Sequence, residues 1–150
     1  MNKVYTFIII VPIIAMLLFR GIAFYEYDTK QRYIKDLTDS IVYEVKITGV
    51  LTTDEYNSFR TKIGNLAKFD DSGNNQCVIL QCGQYENGVP IHWVNYTLGS
   101  VLHKGDAFSI YVKSSDVSNY SRLQNGGKSS DDTKNLYYRA KAECEVEYNN

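Results

Sequence analysis

The sequence predicts an α+β protein carried on an N-terminal transmembrane helix, and three observations predict it. Residues 4–19, VYTFIIIVPIIAMLLF, contain no charge. Apolar residues then recur at helical spacing as far as residue 67. From residue 76 the apolar period falls to two, the spacing at which alternate side chains share one face of a strand. Helices first and strands afterwards argue for helices packed on one face of a small antiparallel sheet, with about four strands by the count of period-two runs.

The first element runs on through Arg20 to Tyr25, giving 22 residues with a single charge. A helix rising ~1.5 Å per residue needs ~20 residues to cross a ~30 Å hydrocarbon core. Arg20 can snorkel to the headgroup layer. Pro12 falls mid-segment, where a lipid-embedded helix tolerates it. The competing reading is a cleaved secretory signal, with Met1, Asn2 and Lys3 as its start and Gly21-Ile22-Ala23 as its cutting site. Arg20 before that site and the length of the apolar run favour the uncut anchor. Lys3 on one side faces Arg20, Lys30, Arg32 and Lys35 on the other, which by charge alone would keep the C-terminal part cytoplasmic. A long following domain translocates regardless of charge, so an extracytoplasmic placement is expected. The chain divides into an anchor at 1–25 and an extracytoplasmic α+β domain at 26–150.

The second element is an amphipathic helical stalk at 27–48, with Ile34, Leu37, Ile41 and Val45 (or Val42) on one side. Neither Pro nor Gly interrupts residues 22–48, so anchor and stalk form either one rod or two helices hinged at Gly21. Gly49 suits the left-handed position that ends a helix. A third element, a short helix at 52–68, opens with Thr52 and Glu55 at capping-box spacing and carries Tyr56, Phe59, Ile63, Leu66 and Ala67 as its stripe. Residues 70–75, DDSGNN, make a turn.

Strands are expected at 76–84, 90–96, 107–113 and 135–148. The turns between them are Glu86-Asn87-Gly88 and Lys104-Gly105-Asp106, the latter read as a hairpin turn. Residues 114–134, rich in Ser, Asn, Asp and Gly, read as a long mobile surface loop with one helical turn near 117–123. In the final run Leu136, Tyr138, Ala140, Ala142, Cys144, Val146 and Tyr148 share the coreward face, while Arg139, Lys141, Glu143, Glu145 and Glu147 share the other. Among the three cysteines, parity places Cys82 and Cys144 coreward and selects them as the disulfide pair if their strands adjoin; three reduced thiols are the alternative.

Sixteen basic against seventeen acidic residues give no electrostatic footprint for nucleic acid. No nucleophile elbow, zinc-protease helix or phosphate loop occurs, so no catalytic site, cofactor or small-molecule substrate is expected. His92 and His103 read as ordinary strand and loop residues. The pairs Asp70-Asp71 and Asp131-Asp132 lack the alternating oxygen spacing of a calcium loop. Cysteines spaced as Cys77, Cys82 and Cys144 do not match zinc ligands. Asn95-Tyr96-Thr97 and Asn119-Tyr120-Ser121 fit the glycosylation tripeptide. The tyrosines at 85, 96, 111, 137 and 138, with Trp93, are assigned to sheet packing and a contact patch.

Phe7, the aliphatic run to Pro12, then Leu17-Leu18-Phe19 and Gly21, resemble the membrane segment of the TadE-like pseudopilins, a type IV pilin-like family. The order of a stalk, a Leu-Thr-x-x-x-Tyr helix and a small sheet is similar as well. Where that family carries a Glu, this chain has Thr6, and the Gly before it is missing. The resemblance implies a pilin-like fold and a structural or assembly role in a pilus or secretion apparatus, with the membrane and other pilin-like subunits as partners of the N-terminal helix. The alternative is a secreted or membrane-tethered module that binds a protein or cell-wall ligand through the 114–134 segment and the sheet.

Overall fold

The computed structural model describes residues 2–72 and 76–148; Gly73, Asn74 and Asn75 of the expected 70–75 turn lie outside the described residues. Helix α1 spans Asn2–Thr48 without a break and includes Pro12. Anchor and stalk are therefore one rod about 70 Å long at ~1.5 Å per residue. Gly21 is no hinge. Along the stalk, ion pairs four residues apart join Lys30 to Glu26 (2.6 Å) and Arg32 to Asp28 (2.9 Å), and Lys35 to Asp39. In each of the first two the acid precedes the base, the favourable order against the helix dipole.

Gly49 ends α1 at φ 71°, and its N–H donates to Val45 O (2.8 Å). A Cβ there would meet Leu102 O at 2.8 Å and the Tyr148 ring at 2.8 Å, so glycine is demanded by both conformation and space. Helix α2 follows at Thr53–Gly64. Thr52 Oγ1 accepts from Glu55 N–H (3.3 Å) and Glu55 Oε2 accepts from Thr52 N–H (2.8 Å), the reciprocal box the spacing predicts. The helix closes at Asn65, short of the expected residue 68, and Leu66 and Ala67 pack on the core from the turn beyond.

Four strands form the sheet: β1 (Val78–Glu86), β2 (Val89–Asn95), β3 (Asp106–Val117) and β4 (Tyr137–Glu145), in the order β2-β1-β3-β4, every pair antiparallel. This α+β layout is the one expected. The β1–β2 turn holds Asn87 and Gly88 at φ 54° and 78°, the two positive values a tight primed hairpin needs. Beside it, Gly83 faces a bulge in which β2 spends both His92 and Trp93. A Cβ on Gly83 would sit 2.6 Å from Ile91 O.

The topology corrects the expected role of Lys104-Gly105-Asp106. These residues turn, with Asp106 N–H donating to His103 O (3.0 Å), but β2 and β3 are not neighbours. Residues 96–105 instead cross the end of the sheet and seal the α1–α2 junction. Leu102 N–H donates to Gly49 O (2.7 Å), Gly99 N–H to Leu51 O (2.9 Å), and the Tyr96 hydroxyl accepts from Leu51 N–H (3.0 Å) while donating to Ser100 O (2.6 Å).

The core lies between the stalk and one sheet face: Ile34, Ile41, Val42 and Val45 of α1 and Phe59 and Ile63 of α2 cover Phe108, Ile110, Val112 and Ala140. Both Val42 and Val45 are buried, so the inward stripe is wider than one heptad position.

Candidate membrane anchor and sheet-edge groove

From residue 4 to residue 22 every large apolar side chain of α1 is exposed, Phe7 at 70% and Phe19 at 67%. The first buried residue is Ala23. The domain therefore grips only the second half of the rod and leaves its apolar half bare. This is the one helix, among the described residues, long and apolar enough to cross a membrane. Pro12, Leu17, Leu18 and Gly21 all lie on this bare stretch. Nothing lies within 4 Å of a Cβ built on Gly21, so packing within this chain does not require glycine there.

Three ties fix the domain on the stalk. The Gln31 amide meets β4 edge-on: its Oε1 accepts from Arg139 N–H (3.1 Å) and its Nε2 donates to Arg139 O, as a neighbouring strand would. Further along, Cys144 Sγ lies 3.5 Å from Val42 O, and Lys46 bridges Glu147 at 3.0 Å. Fifteen helical residues cover about 23 Å and eight strand residues about 26 Å, so α1 and β4 run parallel and in step. No periodicity marks Gln31; only the backbone groups of a β4 edge reveal its use.

β4 is an edge strand. Because the outward backbone groups of Arg139 face Gln31, the two-residue period turns those of Lys141, Glu143 and Glu145 the same way. They border a groove of about 760 Å³ between β4 and the stalk, with Lys35, Asp39, Tyr43 and Lys46 on its far wall. The Cys144 thiol borders it too, pushed up to about 11 by burial.

The disulfide expectation is corrected here. Cys82 and Cys144 share the coreward face, as parity requires, but both pair with Phe108 from opposite sides. With β3 between them their Cα atoms stand two strand spacings apart, roughly 10 Å, against the roughly 4.4–6.8 Å that a disulfide spans. All three thiols are free. Burial also pushes the Cys77 and Cys82 thiols up.

The segment expected as a mobile surface loop is folded. Strand β3 runs on to Val117, helix α3 occupies Asn119–Asn125 and a short 3-10 turn takes Asp132–Lys134. Its serines do the holding. Ser114 Oγ accepts from Tyr138 N–H (3.1 Å), Ser118 Oγ caps α3 by accepting from Ser121 N–H (3.2 Å), and Ser121 Oγ accepts from Leu136 N–H (2.9 Å). Tyr120 then packs against α1, its ring 5.3 Å from Phe24 and 6.2 Å from Tyr27, and Tyr27 stacks on toward Tyr138 at 5.3 Å. Leu136, expected coreward, precedes the strand and is 37% exposed.

The acidic pairs serve turns. Asp71 accepts from Cys77 N–H (2.7 Å) and bridges Arg60 (2.9 Å), while Asp132 accepts from the Tyr137 hydroxyl (2.6 Å), which holds its carboxyl below the usual range. Among the described residues no cluster of three His, Cys, Asp or Glu side chains is gathered to hold a metal. Against known protein families, curated proteins and solved structures, the chain has no match.

Proposed function

We propose that this chain is a membrane-anchored structural protein: residues 4–22 lie in a bilayer or against sister helices, and the domain stands outside the cytoplasm on the second half of the same helix. The observation that carries this reading is the rod with one half clothed by its own domain and the other half bare and, but for Thr6 and Arg20, apolar. Exposed side chains of this kind in water would drive aggregation; in lipid they are at home, and van der Waals packing of apolar helices joins such segments. The resemblance of residues 7–21 to the TadE-like pseudopilins supports the finer form of the proposal, a minor pilin-like subunit of a pilus or secretion apparatus. Deleting residues 2–22 is expected to move the protein from the membrane fraction to a soluble monomer and to abolish assembly. Retention of the truncated chain in washed membranes overturns the anchor.

A second reading, a tethered binding module, is favoured by the groove beside β4, whose edge could accept an extended peptide as a fifth strand. Blocking assembly while leaving peptide capture intact would select it.

A further inference from the structure

We propose that α3 and its flanks form a shoulder seated in the headgroup layer of the bilayer, so that the domain touches the membrane at a second place besides its anchor; this rests on the reading that residues 4–22 cross the bilayer. The argument is one of depth. Nineteen residues from 4 to 22 rise about 28 Å, close to the thickness of a hydrocarbon core of about 30 Å. Phe24 and Tyr27 then fall within about 8 Å of its boundary. Tyr120 is packed on both of them, at 5.3 and 6.2 Å, so α3 stands at that same height along the rod, and at that depth when the rod lies near the bilayer normal.

The surface exposed there suits an interface. Phe24 and Leu123 are each 52% exposed, Tyr25 73% and Leu136 37%, beside the polar Asn119, Gln124 and Asn125. Tyrosines and other amphipathic rings concentrate at headgroup level, and Arg20 lies one turn toward the membrane, able to reach the same layer. Two charge pairs of the shoulder are balanced within the protein, Arg122 with Asp116 and Lys134 with Asp131 (3.8 Å), while Lys128 is exposed. Contact with uncharged lipid therefore comes from the aromatic and aliphatic groups.

The test uses the full chain reconstituted sparsely in phosphatidylcholine vesicles whose acyl chains carry bromine either near the glycerol or deep in the bilayer. Single-tryptophan variants are read by emission: L17W, L123W and Q124W, each in a Trp93→Phe background, and the unaltered chain with only Trp93. L17W should be quenched most by deep bromine. L123W or Q124W should shift to the blue and be quenched more by shallow bromine than by deep. Trp93 neighbours Val94, whose cross-strand row runs through Cys82, Phe108 and Cys144 to Val42, some 30 Å from the boundary by helix rise, and should respond to neither. If L17W is quenched while L123W and Q124W behave like Trp93, the shoulder is overturned and the anchor stands. If L17W is not quenched either, the anchoring reading falls and the shoulder with it.

Discussion

Tyr96 shows how much one hydroxyl can hold. It accepts from the buried Leu51 N–H, donates to Ser100 O, and sets its ring edge-on to Phe108 at 5.3 Å and 84°. Tyr96→Phe keeps the ring but leaves a buried N–H and a carbonyl without their partner, which costs about 1–3 kcal/mol. Chemical denaturation should show that loss with little change in slope; an unchanged midpoint would mean that the loop at 96–105 closes without the hydroxyl. That Tyr96 packs on the sheet was legible in the strand pattern. Its partner was not, because residues 51 and 96 meet only after β2 and β3 have been placed on either side of β1. The cysteines make the same point from the other direction. Parity puts Cys82 and Cys144 on one face, yet the strand lying between them is a matter of topology that parity does not encode.

At the scale of elements, α2 is the piece most nearly written in its own residues. Thr52 and Glu55 announce the capping box, and both of its hydrogen bonds are made. Thr52→Ala should cost about 1 kcal/mol, measured by thermal unfolding. The same box responds to pH. The hydrogen bond from Thr52 N–H holds the Glu55 carboxyl below its ordinary value, so its contribution is complete above the unfolded value near pH ~4.3 and is lost as pH falls through the lower folded value. Glu44 beside it moves the opposite way, raised first by burial and then by the charge of Glu55, so acid relieves Glu44 while it weakens the box. Glu55→Gln should flatten the acid limb of a stability–pH profile; an unchanged limb would place that dependence elsewhere. The 114–134 segment was the least legible element. Ser and Asn signal loops because their side chains bond to nearby backbone, and here Ser114, Ser118 and Ser121 do bond to backbone, but from buried positions that cap α3, tie it to the residue before β4 and join β3 to β4.

For the whole molecule, the position of the boundary between anchor and domain matters. Hydropathy places it after residue 25. Packing places it before residue 23, because Ala23 is buried and Phe24 and Tyr27 carry Tyr120. A chain beginning at residue 23 should therefore unfold at a higher temperature than one beginning at residue 29, although both lack the bare apolar stretch; equal melting temperatures would show that the aromatic contacts add nothing. The order of helices and sheet was legible because periods of 3.6 and two are local properties of the chain. The unbroken passage of α1 past Gly21 was left open by the sequence, since one glycine weakens a helix by only about 1 kcal/mol and so does not by itself decide between a rod and a hinge.

The parallel course of α1 and β4 has a mechanical consequence. If the N-terminal half of the rod is pulled along its axis while the domain is held, the load falls in shear on the seam between helix and sheet. The Gln31 clasp, the packing of Ile34, Ile41 and Val45, and the Lys46–Glu147 bridge lie side by side along that load and must yield together. A tug at right angles would instead peel the helix away, starting at Ala23 and Phe24 and meeting one tie at a time. The joint is strong along the axis of the rod and weaker across it.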